Sequence, residues 1–270
     1  MIRDITIGQY YPAKSVLHRL DPRVKLVGTL LYLISLFLFN SIPGYVMTTL
    51  FLIIIIKMSR VPFSFIVRGL KPVIMLLMIT VLFNLFLTRD GAVLFHAWIF
   101  TITEGGLRTA VYMAIRLIYL IIGSSLMTLT TTPNDLTDGM ERLLNPLKAV
   151  HVPVHEISMM MSIALRFIPT LIEETDKIMN AQKARGAQLD TGKMTDRVKA
   201  LVPVLIPLFI SAFRRADELA MAMECRCYHG GEGRTRLKVL KFGALDVKCA
   251  VVLTLCLAVI LSTRWLMAGI

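Results

Sequence analysis

A helix needs roughly 17–25 mostly apolar residues to cross the hydrocarbon core of a bilayer, which is about 30 Å thick. Five stretches of this 270-residue chain approach that length. They run from about Leu26 to Phe39, Pro43 to Ile56, Pro72 to Leu87, Thr109 to Leu129 and Cys249 to Leu261. The first, second and fifth are short by themselves, so flanking residues and snorkelling Lys or Arg must extend them. A sixth run, Val93–Ile102, is too short to span and contains His96. We read it as a re-entrant or interfacial segment on the outer side. The composition agrees: 56% of residues are hydrophobic and 18% charged, against about 45–50% and 25% in soluble domains. The fold class is therefore an all-α integral membrane protein with five predicted transmembrane helices. An ordinary cytosolic enzyme, a disordered chain and a disulfide scaffold are excluded. The four cysteines, Cys225, Cys227, Cys249 and Cys256, avoid the first 224 residues and suggest no disulfide framework. The polar N-terminal 25 residues lack a signal-peptide core and are expected to stay in place.

Lys and Arg set the orientation. Arg3, Lys14, Arg19, Arg23 and Lys25 hold the N-terminus inside, and Asn40 to Gly44 form an uncharged outer turn. Lys57, Arg60, Arg68 and Lys71 mark an inner loop; Arg89, Asp90, Glu104 and Arg108 form a balanced outer one. Every loop then obeys the positive-inside rule with the N-terminus inside. The net charge of +12 thus reports inner loops, not a nucleic-acid partner. Arg116 is the one clear charge within a predicted span. We expect it to snorkel near the end of a shifted span, or to reach a backbone carbonyl, water or another subunit.

Residues 133–246 carry 16 basic and 14 acidic side chains, against 12 and 4 in residues 1–132. This divides the chain into a membrane region of four spans (1–132), a cytoplasmic block (133–246) and a C-terminal transmembrane helix (247–270). The block reads as three helices. The first opens at Thr132-Pro133, with Asp135 completing a variant capping box, and stops near Asn145-Pro146. The second runs from about Val154 to Arg185, with Ile157, Met161, Ala164, Ile168, Leu171, Thr175, Ile178 and Gln182 marking one face; Pro169 should kink it. The third runs from about Thr195 to Tyr228. Its apolar half, Leu201–Phe213, contains Pro203 and Pro207, and we expect it on the inner membrane surface or against another subunit, not as a sixth span.

Two of these helices end alike, in Ala184-Arg185-Gly186 and in Cys225-Arg226-Cys227. Gly186 can take the left-handed conformation that terminates a helix, and Gly230-Gly231 is expected to do so for the later one. A single arginine there would simply stabilise the helix dipole. Two, with small neighbours, on consecutive helices of one block point to a paired docking device, because guanidinium makes bidentate bonds to carboxylates.

These residues resemble the transmembrane T component of energy-coupling factor transporters, the EcfT/CbiQ family. The resemblance covers nearly the whole chain. It rests on Ser15-x-Leu17-His18-x-Leu20-Asp21-Pro22-Arg23-x-Lys25, Thr132-Pro133-x-x-Leu136, Ala164-Leu165-Arg166-Phe167-Ile168-Pro169, Ala181-Gln182-x-Ala184-Arg185-Gly186 and Ala222-Met223-Glu224-Cys225-Arg226-Cys227-Tyr228. The second arginine element departs from Ala-Arg-Gly at both flanks, though cysteine is still small. The resemblance implies a non-catalytic subunit of an ATP-driven importer in the bacterial cytoplasmic (inner) membrane. It would join two ABC ATPases of the EcfA type to a substrate-binding S component for vitamin or metal-ion uptake. ATP and Mg would sit on the ATPases, with no cofactor on this chain. Residues 133–246 would be the coupling helices. Ala184, Arg185 and Gly186, with Cys225, Arg226 and Cys227, would be the ATPase-docking elements.

Other functions have weaker support. There is no G-x-x-x-x-G-K-[ST]; Gly230-Gly231-Glu232-Gly233-Arg234 lacks the lysine. The apolar cores contain no Asp, Glu or His of the kind ion-coupled carriers use, although a stand-alone carrier or channel is the alternative. His151-x-x-x-His155-Glu156 has zinc-helix spacing but is interrupted by Pro153, and Cys225-x-Cys227-x-His229 has no obvious fourth ligand. The 16 methionines read as adaptable packing, not a metal relay. His18 is expected to bond locally near the inner membrane face.

Overall fold

The computed structural model describes residues 10–87, 93–97, 100–187, 194–231, 240 and 242–268. Arg3, the Arg89-Asp90 pair and Glu232-Gly233-Arg234 lie outside these residues. The described chain is helical apart from one short hairpin. In order, the elements are α1 (Val16–Arg19), α2 (Pro22–Leu38), α3 (Ile42–Ser59), α4 (Phe63–Leu70) and, after a 3₁₀ turn at Lys71–Val73, α5 (Ile74–Leu87). Strands β1 (Val93–Ala97) and β2 (Phe100–Thr103) follow, then α6 (Glu104–Thr130) and α7 (Pro133–Leu144). A 3₁₀ turn at Asn145–Val150 leads to α8 (Val154–Ala184), α9 (Met194–Glu224) and α10 (Ala244–Ala268). Among the described residues, three helical stretches are long and apolar enough to cross a membrane: Ile42–Ser59, Phe63–Phe86 and Glu104–Thr130.

The segment expected to be re-entrant or interfacial is the antiparallel β1–β2 pair, with Phe95 opposite Ile102 and Ala97 opposite Phe100. Its sequence, rich in β-branched and aromatic residues, suits a strand better than a helix.

The chain forms two compact units, Gly8–Gly139 with Leu240–Ile270 and Met140–Val239. The larger unit has a core of Tyr32, Leu36, Phe39, Tyr45, Leu52, Ile66, Ile122 and Leu126, drawn from α2, α3, α4 and α6. Lipid is as apolar as such side chains, so helices in a bilayer associate by close packing and small residues. Gly123 of α6 serves this purpose. A Cβ there would meet Tyr32 Cε1 at 2.3 Å, so only glycine lets the ring lie on the α6 backbone. Tyr32 then donates its hydroxyl to Tyr119 O at 3.2 Å. Tyr45 stacks on Tyr112, with centroids 5.1 Å apart and planes 6° apart. The α5 face that includes Met75 and Met78 is open, with Met75 73% exposed.

The N-terminal motif of the larger unit is a chain of caps. Ser15 caps α1, and its hydroxyl donates to His18 Nδ1 at 2.7 Å. His18 Nε2 in turn donates to Tyr11 O at 2.9 Å, so the histidine does bond locally. Burial is the main influence holding its imidazole below the ordinary pKa, against the opposing pull of the Tyr11 carbonyl. Asp21 caps α2 by accepting from Arg23 N at 2.9 Å, ahead of Pro22 at the first helical position. Asp246 of α10 accepts from Asp21 N at 2.7 Å and from Gly243 N at 2.8 Å. Lys25 Nζ donates to Thr130 O at 2.9 Å, a cation on the last carbonyls of α6. This motif is therefore structural.

Arg116 does not snorkel. It is 9% exposed, and its Nη2 donates to Phe39 O at 3.1 Å, to Tyr45 Oη at 3.3 Å and to Asn40 Oδ1. Phe39 is the C-cap of α2, so the guanidinium closes the carbonyl end of that helix at the α2–α3 turn. Of the outcomes expected for it, the backbone carbonyl is the one realised.

Candidate functional site

The site is built on the smaller unit. α7 enters it through the expected cap: Thr132 Oγ1 accepts from Asp135 N at 3.1 Å and donates to Asp135 Oδ2 at 2.7 Å. Glu141 of α7 accepts from Ser158 Oγ at 2.6 Å and pairs with His155 Nδ1 at 3.1 Å. His155 of α8 is thus bound to a carboxylate of α7, while His151 lies before α8 in a left-handed conformation, φ 62°. The two do not share a helical face, which removes the zinc-helix arrangement. His229 Nδ1 donates to Cys227 O at 2.9 Å. No group of three His, Cys, Asp or Glu converges among the described residues.

α8 and α9 are both 31 residues long, about 45 Å at 1.5 Å per residue. Polar contacts fasten them. Glu174 of α8 accepts from Ser211 Oγ and from Arg215 Nη2, the latter at 3.2 Å. The Ser211 hydroxyl is the main influence lowering the Glu174 pKa, with Arg215 assisting. The second contact depends on the prolines of α9. A helical carbonyl normally receives the N–H four residues on, but the partner of Pro203 O would be Pro207, which has none. Gln182 Nε2 of α8 donates to that carbonyl at 3.2 Å. A later α8 residue meets an earlier α9 residue in this pair of contacts, so the two helices run in opposite senses. Their C-terminal ends therefore point opposite ways.

Those ends have the same backbone geometry. At the end of α8, Gly186 N donates to Lys183 O and Ala187 N to Gln182 O, both at 3.0 Å, with Gly186 at φ 89°. Beyond α9, Cys227 N donates to Glu224 O at 2.8 Å and Tyr228 N to Met223 O at 3.0 Å, with Cys227 at φ 53°. Both are Schellman closures with a left-handed residue just past the cap. Arg185 and Arg226 occupy the same cap position, flanked by Ala184 and Gly186 in one case and by Cys225 and Cys227 in the other. All six are exposed. Among the described residues neither guanidinium has a side-chain partner.

The third helix of the block does not run to Tyr228 and is not stopped by Gly230-Gly231. α9 ends at Glu224, and Cys227 supplies the left-handed residue. A non-glycine residue pays a steric penalty in that conformation, so sequence alone favoured the glycines. The periodicity places Gln182 on the α8 face but does not reveal its bond to the Pro203 carbonyl. Its signal was available in the four-residue spacing of Pro203 and Pro207, which orphans one carbonyl.

A mainly helical chain with three membrane-length apolar helices among the described residues is of the membrane-protein class by length and composition, and its smaller unit carries two matched arginine caps. Residues 13–237 match the family described as CbiQ, cobalt transport protein. A relative from Clostridium kluyveri is 53% identical over 98% of this chain and 99% of its own length. One from Ruminiclostridium cellulolyticum is 55% identical over 92% of each chain. One from Bacillus subtilis is 48% identical over 98% of this chain and 100% of its own. All three bear the name energy-coupling factor transporter transmembrane protein EcfT. The chain belongs to the EcfT/CbiQ family of energy-coupling factor transporter membrane components. A stand-alone carrier or channel is not favoured.

Proposed function

We propose that this chain is the coupling subunit of an energy-coupling factor importer in the bacterial cytoplasmic membrane. It is non-catalytic, and ATP and Mg belong to two ABC ATPase partners. In this reading α2 and α10 join the three stretches that are long and apolar enough to span to make five spans, with the N-terminus inside. Residues 133–246 form the cytoplasmic coupling block between the membrane region 1–132 and the last span, 247–270. Arg185 seats in one ATPase and Arg226 in the other, each with its two small neighbours allowing close approach. Motion of the ATPase pair passes through α8 and α9 to an S component that carries the vitamin or metal ion.

The observation that supports this reading best is the pair of matched, exposed arginine caps at oppositely directed ends. Two identical plugs facing apart suit two similar partners better than one. The open apolar stripe of α9, with Leu205, Ile206, Phe209 and Phe213 exposed, offers a surface for membrane or the S component.

Charge reversal is the test. Truncating one partner of a buried hydrogen-bonded charge pair costs about 2–5 kcal/mol. Arg185→Glu combined with Arg226→Glu is expected to leave membrane insertion intact and abolish co-purification with the ATPases. Undiminished co-purification would remove both arginines from the interface.

A further inference from the structure

The larger unit carries a second cationic feature that docking of ATPases does not use. A cavity of about 310 Å³ is lined by Asn40, Arg108, Thr109, Tyr112, Met113 and Arg116. The lining contains two guanidiniums and no carboxylate. Arg116 is nine-tenths buried, and all its close oxygen contacts fall on Nη2. Its Nη1 has only the Met113 sulfur at 4.0 Å, a weak acceptor, and its buried Nε has no acceptor among the described residues. Arg108 lies over the Tyr112 ring, 5.5 Å from the centroid, and Tyr112 stacks on Tyr45. That stack fixes the stem of Arg108. Among the described residues its guanidinium has no acceptor. Buried charges ordinarily find a counter-charge, and here none is supplied by the described chain.

The depth of the site narrows the ligand. Arg116 bonds to Phe39 and Asn40, the turn between α2 and α3. On the five-span reading that turn lies at the outer membrane surface. Arg108 is two turns further toward the N-terminus of α6, so the pair of arginines brackets the headgroup layer. Guanidinium favours phosphate because its forked donors match two oxygens of one group. Thr109 and the Asn40 amide add neutral donors on the same wall.

We propose that this cavity is an anion site for a phosphate group, with a phospholipid headgroup of the outer leaflet and a free phosphate ion as its two sources. The phosphate oxygens take the open donors of Arg116 and Arg108, and in the lipid case the acyl chains lie along the exposed apolar surface outside the cavity. The site holds the α2–α3 turn to α6 when filled.

The experiment uses the full chain purified in detergent, because the variants compared must differ only in the cavity. Arg108→Gln removes an exposed cation that takes no part in core packing. Thr109→Val is a second variant that leaves both charges in place. Phosphatidylglycerol retained by the protein is measured by native mass spectrometry across a titration, with and without inorganic phosphate. Loss of one charge-assisted contact is expected to weaken retention about tenfold in Arg108→Gln, with a smaller loss in Thr109→Val. Retention that resists inorganic phosphate assigns the site to a lipid headgroup. Retention that falls as inorganic phosphate rises, in the parent chain and not in Arg108→Gln, assigns it to a free ion. Equal retention in all three proteins, with no effect of phosphate, would overturn the proposal. None of these readings involves the ATPases, so failure of the docking reading leaves this test intact. A failure of the five-span orientation shows separately, as an inorganic phosphate adduct in the same spectra that Arg108→Gln loses, without lipid retention.

Discussion

In the larger unit Tyr32 lies so close to Gly123 that a single added carbon would collide with its ring, and four helices share the buried core around it. In the smaller unit Val154 and Val204 are the only buried hydrophobic side chains among the described residues. α8 and α9 are instead fastened through Glu174, Ser211 and Arg215 and through Gln182, and they leave apolar side chains such as Phe213 70% exposed. The contrast shows how one chain combines a fixed part with an adaptable one. Close packing tolerates little displacement, whereas a few polar contacts between long helices can be remade at small cost. Open apolar stripes are also what a subunit needs if its partners complete it.

The sharpest way to break this contrast is to overfill the tight part. Gly123→Val is expected to destabilise the larger unit by about 1–3 kcal/mol through overpacking against Tyr32. Thermal unfolding in detergent checks it. An unchanged melting temperature would mean the helices of this unit adapt as easily as α8 and α9.

A smaller effect concerns the polar fastening. The Glu174 carboxyl is held below its usual range of about 4.5, mainly by the Ser211 hydroxyl. A depressed folded-state pKa contributes stability that is present above the unfolded value and is lost as pH falls through the folded one. The α8–α9 pairing is therefore expected to be constant near neutrality and to loosen only under acid, at a pH below that of an ordinary glutamate. Hydrogen exchange of α8 amides against pH checks this, and Glu174→Gln should abolish the acid step. Loosening that begins near neutral pH in the parent chain would point to another group.

The smallest expected effects lie at the helix ends and have opposite signs. Gly186→Val places a β-branched residue at φ 89° and should cost roughly 1–2 kcal/mol, disturbing the turn that presents Arg185 and uncoupling ATP hydrolysis from uptake. Cys227→Gly relieves the corresponding strain at φ 53° and should stabilise the α9 end by up to about 1 kcal/mol. Exchange rates of the Ala187 and Tyr228 amides read each closure directly. Equal responses would mean that the two ends are not equivalent structures.

Much of this architecture is legible in the residues because it is local. The apolar runs proposed as spans coincide with α2, α3, α5, α6 and α10, except that Phe39 caps α2 and Pro72-Val73 belong to the 3₁₀ turn before α5, and Thr132-Pro133-x-Asp135 announces the start of α7. Ala184-Arg185-Gly186 carries its own stop signal in Gly186. What was not legible depends on distant partners or on a choice between similar local states. The role of Arg116 is set by Phe39 and Asn40, which lie 77 and 76 residues away. Val93–Ile102 is too short to span a bilayer, and its β-branched and aromatic residues suit strands, but the pairing of β1 with β2 is seen only in the structure. The α9 stop went to Cys227 because an earlier turn closed first, although Gly230-Gly231 is the better intrinsic stop. The small flanking residues make the two arginine elements look alike in the sequence, but that both are closed by the same pair of backbone bonds appears only in the structure.

The central claim is that Arg185 and Arg226 each seat in a separate ATPase. The most direct measurement places a photo-crosslinking amino acid at position 185 or 226 in the assembled transporter in its native membrane and identifies what is captured. The account predicts that each position captures an ATPase subunit. Crosslinks to neither ATPase, in complexes that still contain both, would contradict it.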